Sequence, residues 1–231
     1  MKIILTGTTG FVGTEVLLQC LASPSITSII VLSRKQLPES LTNNPKVTVK
    51  ILDDFLSYPD SLLQDLRGAE AVIWTLGIPG ASDLDYYRRV NVGYTMAGVQ
   101  AFTEHLIPYV KSGTPFRFLY CSGAATERDQ ERTLWLGSGV RKIRGQTESS
   151  LLAYQEIHPE VEIYILRPAM IVSPTWRILG LVFGVGLSIR VERLAGVMVD
   201  VAQFGTANGN GVEGRVLENS IMNVWGLNES S

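Results

Sequence analysis

The stretch that decides the reading is Lys2-Ile3-Ile4-Leu5-Thr6-Gly7-Thr8-Thr9-Gly10-Phe11-Val12-Gly13. Residues 2–6 form an apolar run of strand length. It enters a turn with glycines at 7, 10 and 13, and a helix-like run from Thr14 to Leu21 follows. Gly7 allows a tight turn, Gly10 lets a pyrophosphate come close to the backbone, and Gly13 lets the helix lie against the strand. The first turn of such a helix offers unpaired N–H groups and a partial positive charge. Gly7, Thr9, Gly10, Phe11, Val12 and Gly13 are therefore a candidate cradle for the phosphates of a dinucleotide.

Outward from that turn, strand and helix patterns alternate. Strands are expected at Ile26–Leu32, Val47–Leu52, Ala71–Thr75, Phe116–Cys121 and Val161–Leu166. Helices are expected at Ser61–Leu66, Leu84–Leu106, Gly139–Gln155, Val191–Phe204 and Val216–Trp225, with a loop at Gly205–Gly214. Short apolar runs separated by helix-length segments imply right-handed βαβ units. The expected fold is α/β, a Rossmann-like doubly wound parallel sheet with a small C-terminal substrate-side lobe. Residues 1–231 read as a single NAD(P)-binding domain, with 174–231 as its C-terminal extension. Ligands of such a sheet bind outside the carboxyl ends of the strands, so chemistry is sought there.

Bulk properties narrow the partners. The chain has 231 residues, 45% of them hydrophobic, enough for one full core. Twenty basic against 22 acidic residues give a net charge of −2, with no basic excess to attract nucleic acid. Cys20 and Cys121 have no metal spacing and no disulfide-framework pattern, which suits a reducing, cytoplasmic setting. Met1-Lys2 runs directly into the first strand, so no signal or transit peptide is expected. The longest apolar stretch, Ile178–Ile189, is 12 residues, short of the roughly 20 that cross a bilayer. It reads as a pocket wall, a subunit contact or an interfacial segment, and a homo-oligomer stays open. His105 and His158 have no metal-ligand or triad company, and no metal site is expected.

Residues after the second and third strands bear on the cofactor. Where an NAD site places an acidic residue for the ribose 2′-hydroxyl, this chain has Ser33-Arg34-Lys35, and the nearest acid, Glu39, follows Pro38. Arg34 and Lys35 suit a 2′-phosphate instead, which favours NADP(H). Asp54 and Phe55, after the third strand, are candidates to meet the adenine. Leu76 and Gly77, after the fourth, let the backbone pass beside the cofactor ribose.

These residues resemble the short-chain dehydrogenase/reductase superfamily in its extended or atypical branch. They are most similar to the Tat-interacting-protein-like (nucleoside-diphosphate-sugar-epimerase-like) group, including its fungal members. The likeness rests on G-T-T-G-F-V-G at 7–13, S-R-K at 33–35, D-D-F at 53–55, T-L-G at 75–77 and R-V-N at 89–91. It continues in L-Y-C-S-G at 119–123, R-G-Q-T-E at 144–148, L-R-P at 166–168 and L-E-N at 217–219. The resemblance implies NADP(H) binding and a Ser, Tyr, Lys catalytic set. Ser122 stands at the serine position, where its hydroxyl would hold a substrate carbonyl. Matching the family glycine to Gly145 puts Arg144 at the lysine position and Val140 at the tyrosine position. None of the eight tyrosines has Lys or Arg four residues on. Valine cannot donate a proton, so Lys142 and Tyr120 are the substitute acid candidates, against ordinary surface and core roles. Pro168 and Met170, at the end of the sixth strand, are expected to pass the nicotinamide.

Two readings follow. One is an NADPH-dependent oxidoreductase, or a cofactor-retaining isomerase or cyclase, acting on a small carbonyl- or imine-type metabolite without the Tyr/Lys pair. The other is a non-catalytic NADP-binding redox sensor or protein-interaction module.

Overall fold

Ile3 and Leu5 face one side of the first strand and Ile4 faces the other, and all three are buried. A strand apolar on both faces needs cover on both, which is the condition of an interior strand in a parallel sheet. The computed structural model describes residues 1–111, 113–173, 187–207 and 214–226. Its elements run β1 (Lys2–Thr6), α1 (Phe11–Ala22), β2 (Ser28–Ser33), α2 (Glu39–Thr42), β3 (Val47–Ile51), α3 (Asp60–Leu66) and β4 (Ala71–Trp74). Next come α4 (Leu84–Arg88), a π-helical turn (Arg89–Gly93), α5 (Tyr94–Leu106), β5 (Phe116–Cys121), α6 (Ser138–Ile157) and β6 (Val161–Arg167). The chain continues through β7 (Met170–Val172), β8 (Ser188–Arg190), α7 (Val191–Phe204), β9 (Val216–Glu218) and α8 (Asn219–Val224).

Seven strands form one parallel sheet in the order β3-β2-β1-β4-β5-β6-β9. The order reverses between β1 and β4, where the connections diverge and a crevice opens at the carboxyl ends. One face carries Val16, Leu17 and Cys20 of α1 with Leu194, Met198 and Val201 of α7. The other carries Leu62 and Leu66 of α3, Val99 and Phe102 of α5, and Leu151 of α6. The fold is thus the expected Rossmann-like α/β sheet, wound on both sides. β7 and β8 form a separate two-stranded parallel ribbon beside it.

Two local expectations change, and two others fall largely outside the described residues. Val216–Trp225 is not one helix: Val216 and Leu217 pair with Ile165 and Leu166 as β9, and only Asn219–Val224 is helical. The open edge of β6 decides that segment over its helical pattern. The expected helix Leu84–Leu106 is interrupted by the π-helical turn at Arg89–Gly93. Its start is fixed by Asp83, whose Oδ1 accepts from the N–H groups of Asp85 (2.9 Å) and Tyr86 (3.0 Å). Of the apolar run Ile178–Ile189, only the last residues are described, and Ser188 and Ile189 lie in β8. Most of the Gly205–Gly214 loop likewise lies outside the described residues. Among the described residues no helix is long and apolar enough to cross a membrane.

Candidate active site

The glycine turn after β1 is dictated by contact as well as by conformation. Gly7 has φ +71°, and a Cβ there would sit 2.5 Å from the Thr75 carbonyl. A Cβ on Gly13 would sit 2.2 Å from the Gly7 oxygen and 2.7 Å from Thr75 Oγ1. Strand β1, the segment after β4 and helix α1 therefore meet without side chains between them. Thr75 Oγ1 donates to the Thr6 carbonyl (2.6 Å) and the Leu76 N–H to Thr6 Oγ1 (3.3 Å), closing the same junction. Helix α1 begins at Gly10 with no side-chain cap and no acid in its first turn. Thr9, Gly10 and Phe11 are exposed, Val12 is half-buried, and Thr8 Oγ1 is buried without a partner among the described residues.

A cleft of about 380 Å³ opens at this junction, lined by Gly7, Gly10, Arg34, Lys35 and Leu76 among others. Ser33 shapes its rim: its Oγ donates to the Lys35 carbonyl (2.7 Å) and accepts from the Lys35 N–H (3.2 Å). That turn presents Arg34 and Lys35 outward, both exposed and without an ion pair among the described residues. The third-strand candidates are differently placed. Asp54 pairs with Arg89 (3.2 Å) and accepts from the Leu56 N–H (3.1 Å). Phe55 borders the cleft but is fully buried, its ring against Trp74 and Tyr94. Gly77 lines the cleft too, and its missing side chain leaves room for Asn91, whose Oδ1 would lie 2.8 Å from a Cβ there. Asn91 comes from the π-helical turn and is held by donating Nδ2–H to the Tyr87 carbonyl (3.0 Å).

Ser122 follows β5, next to β4 in the sheet, so it stands at the same carboxyl edge as the cleft. Its Oγ donates to Glu148 Oε1 at 2.5 Å and lies 3.0 Å from Thr126 Oγ1. Glu148, on α6, is 0% exposed. Arg128 Nε donates to its Oε2 at 2.7 Å. Arg167 Nε reaches both oxygens at 3.0 and 3.1 Å, and Arg167 Nη2 also bonds Oε2. Arg167 Nη1 continues to Glu218 Oε1 at 3.0 Å. Hydrogen bonding to Glu148 holds the Arg167 pKa above its ordinary value. The buried carboxylate is thus fully bonded, the condition for keeping it in a core. Glu148 and Glu218 lie in the R-G-Q-T-E and L-E-N motifs, yet sequence reasoning gave neither a role. An acid in register with Arg144, one turn on along α6, was the available signal.

Arg144 reaches back over the sheet edge. Its Nη2 donates to the Pro79 carbonyl (3.2 Å), and a Cβ on Gly123 would lie 3.2 Å from its Nη1. It has no carboxylate partner among the described residues. Beside it is the buried hydroxyl of Tyr87, which has no partner within hydrogen-bond geometry among the described residues; burial raises that phenol's pKa and the neighbouring Arg144 pulls it back. Burial likewise pushes the Cys121 thiol up to about 12, against Arg144. Gly145 is required by packing: a Cβ there would lie 1.7 Å from the Glu127 carbonyl. Neither substitute acid is hydrogen-bonded to the Ser122 hydroxyl, whose partners among the described residues are Glu148 and Thr126. Tyr120 is 3% exposed within the core, where desolvation raises its pKa. Lys142 Nζ donates to the Gln130 carbonyl. After β6, the Pro168 carbonyl accepts from the Ala124 N–H (2.8 Å), and the Ala169 N–H is taken by Asn219 Oδ1 (2.9 Å). Met170 is 42% exposed, and its backbone N–H bonds the Leu187 carbonyl (3.2 Å).

No protein-family model matches the chain. It is 44% identical over 79 residues to Leucinostatins biosynthesis cluster protein T of Purpureocillium lilacinum. That match takes in 34% of this chain and 29% of the relative, so it spans under a third of that protein. Among solved structures, Gre2 from Candida albicans in complex with NADPH is similar at TM-score 0.71 and 15% identity, over 94% of this chain and 77% of that one. DesIV (dTDP-glucose 4,6-dehydratase) from Streptomyces venezuelae, with NAD and TYD bound, is similar at TM-score 0.68 and 16% identity, over 94% and 75%. At such identities the likeness establishes the fold. It is a Rossmann-like α/β fold, as the alternation of strands and helices in the sequence implies.

Proposed function

We propose that the chain binds NADP(H) in the cleft between β1, β2 and β4 and acts as an oxidoreductase on a small metabolite, without the family's Tyr/Lys pair. The observation that carries this reading is the exposed Arg34 and Lys35 at the rim of the glycine cleft, which have no ion pair among the described residues. The residues fit the group: Gly7 and Gly13 let β1, α1 and the segment after β4 close at the cleft with no side chain between them, α1 offers N–H groups with no side-chain cap, and Thr8 Oγ1 is a buried hydroxyl without a partner among the described residues. In this reading Gly7 to Gly13 hold the pyrophosphate, with the backbone of Thr9, Phe11 and Val12. Arg34 and Lys35 meet the 2′-phosphate. Arg144 stands on the nicotinamide side, where its fixed charge binds ribose oxygens but does not supply a proton. The cofactor, when bound, supplies the hydride, and Ser122 and Thr126 orient the group that receives it. Gre2 was solved with NADPH, which supports this choice, and the likeness to a biosynthesis-cluster protein supports a small-molecule substrate. The free thiols Cys20 and Cys121 suit a cytoplasmic setting.

The burial of Tyr120 and the bonding of Lys142 to the Gln130 carbonyl favour either a reaction needing no protein acid or the second reading, a non-catalytic NADP-binding sensor. Calorimetry separates the cofactor question from both. NADPH is expected to bind well above NADH, and Arg34→Ala to weaken NADPH by about tenfold to a hundredfold, the worth of one charge-assisted contact. NADH binding should not change. Equal affinity for both cofactors removes the role given to Arg34.

A further inference from the structure

Ser122 has one hydroxyl hydrogen, and its neighbours account for it. The other groups on Glu148 are the guanidinium N–H donors of Arg128 and Arg167, which cannot accept. Two fixed positive charges hold the carboxyl as an acceptor on both oxygens. The hydroxyl of Ser122, 2.5 Å from Oε1, therefore points inward. Thr126 Oγ1, in a partly exposed residue, lies 3.0 Å from Ser122 Oγ, and either oxygen could donate by geometry alone. With the Ser122 hydrogen already given to Glu148, Thr126 is the donor. Two hydroxyls thus run their hydrogens in series toward one buried carboxylate, and only lone pairs remain for a ligand.

We propose that Ser122 and Thr126 form an acceptor pair, oriented by Glu148, that selects a substrate group bearing an O–H or N–H: an alcohol, an amine or a protonated imine rather than a bare carbonyl. This rests on the reading of the cleft given above and reverses the expected role of Ser122 as donor to a carbonyl. It also accounts for Val140. When a protonated imine gains a hydride from NADPH, the hydride bonds to carbon and the C=N π pair moves to nitrogen. The products are a neutral amine and NADP+, with no proton to deliver. A ketone would leave an alkoxide, and neither hydroxyl has a hydrogen free to meet it. Glu148 acts through Ser122 and is a positioning residue.

Glu148→Gln tests the orientation. Oε2 takes Arg128 Nε and Arg167 Nη2 and shares the single Arg167 Nε hydrogen with Oε1, so the amide oxygen belongs at Oε2 and draws that hydrogen wholly to itself, while the NH₂ faces Ser122 and turns the Ser122 hydrogen outward. The probes are tetralol and tetralone, an alcohol and a ketone of one skeleton, titrated calorimetrically into the NADP+-loaded protein. Dihydroisoquinoline reduction, followed by NADPH absorbance, is a second readout. The wild-type protein should bind tetralol about tenfold more tightly than tetralone, and Glu148→Gln should invert that order. Thr126→Val leaves the Glu148 contacts whole and keeps the test in hand if Glu148→Gln does not fold. It should weaken tetralol and leave tetralone unchanged. Wild-type protein that binds tetralone as well as tetralol, binds neither, or loses both alike in the variants overturns the proposal while leaving NADPH binding intact. Failure to bind NADPH at all overturns the cofactor reading and this proposal with it.

Discussion

Replacing Arg167 with methionine isolates the energetics of a buried charge that loses its main partner. The arginine donates to both Glu148 oxygens and, through Nη1, to Glu218. Methionine keeps much of the side-chain length and removes every donor. Glu148, with no exposed surface, keeps only Arg128 Nε at 2.7 Å and the Ser122 hydroxyl. Breaking one side of a buried pair destabilises by about 3–5 kcal/mol. Because Arg128 remains, the lower end applies, about 3 kcal/mol. A domain of this size loses about 2–4 °C in melting temperature per kcal/mol, so the expected fall is about 6–12 °C. Lys50→Met is the control. It breaks the 2.6 Å pair with Asp65, whose partners are 34% and 51% exposed, and should shift stability by about 1 kcal/mol or less. The double variant Glu148→Met/Arg167→Met should recover most of the loss, because it removes the stranded charge along with its partner. Urea and thermal unfolding give both numbers. An Arg167→Met protein that melts within about 2 °C of Lys50→Met would refute the claim that Glu148 is a buried charge held by Arg167.

Two further outcomes follow from the same contacts. Gly13→Ala puts a methyl 2.2 Å from the Gly7 carbonyl, so the turn must open; stability should fall by about 1–3 kcal/mol and calorimetric NADPH binding by more than about tenfold. Wild-type NADPH affinity in that variant would show that the glycine junction does not form the cradle. Stability should also fall in alkali. Burial pushes the Cys20 thiol from its ordinary value near 9 up to about 12, so the folded chain keeps a proton that the unfolded chain releases. Stability from this group is complete below pH 9 and declines up to pH 12, by about 1.4 kcal/mol per pH unit. Urea midpoints from pH 8 to 11 should drop in the wild-type protein and drop less steeply in Cys20→Ala, and a flat wild-type profile counts against the burial argument.

What could be read from sequence was what local spacing encodes. The strand–glycine–helix unit at residues 2–22 is contiguous, and strands such as Phe116–Cys121 carry their burial in their own composition. β9 escaped because its three residues become a strand only when β6 offers them an edge, an event 51 residues away in the chain. The roles of Gly77 and Gly145 escaped for a similar reason. A glycine announces that something passes close, and only the fold shows that the neighbours are Asn91 and the Glu127 carbonyl.

The region around Ser122 was harder to read because its hydrogen bonding is set by Glu148, a residue that a motif treats as scaffold. Aligning Val140 and Arg144 with a missing Tyr and Lys yields a site with parts absent, and that reading leaves Ser122 as an unaltered donor. The hydrogen-bond inventory changes this. Glu148, Arg128 and Arg167 come from α6, the loop before it and the end of β6, and together they make Glu148 the closest acceptor for the Ser122 hydrogen, at 2.5 Å against 3.0 Å to Thr126. A site whose hydroxyls already give their hydrogens inward has no use for a tyrosine that would hand a proton to an alkoxide, because it is not built to receive the carbonyl that becomes one. Under the proposal above, valine at position 140 and the orientation of Ser122 are two consequences of one substrate polarity.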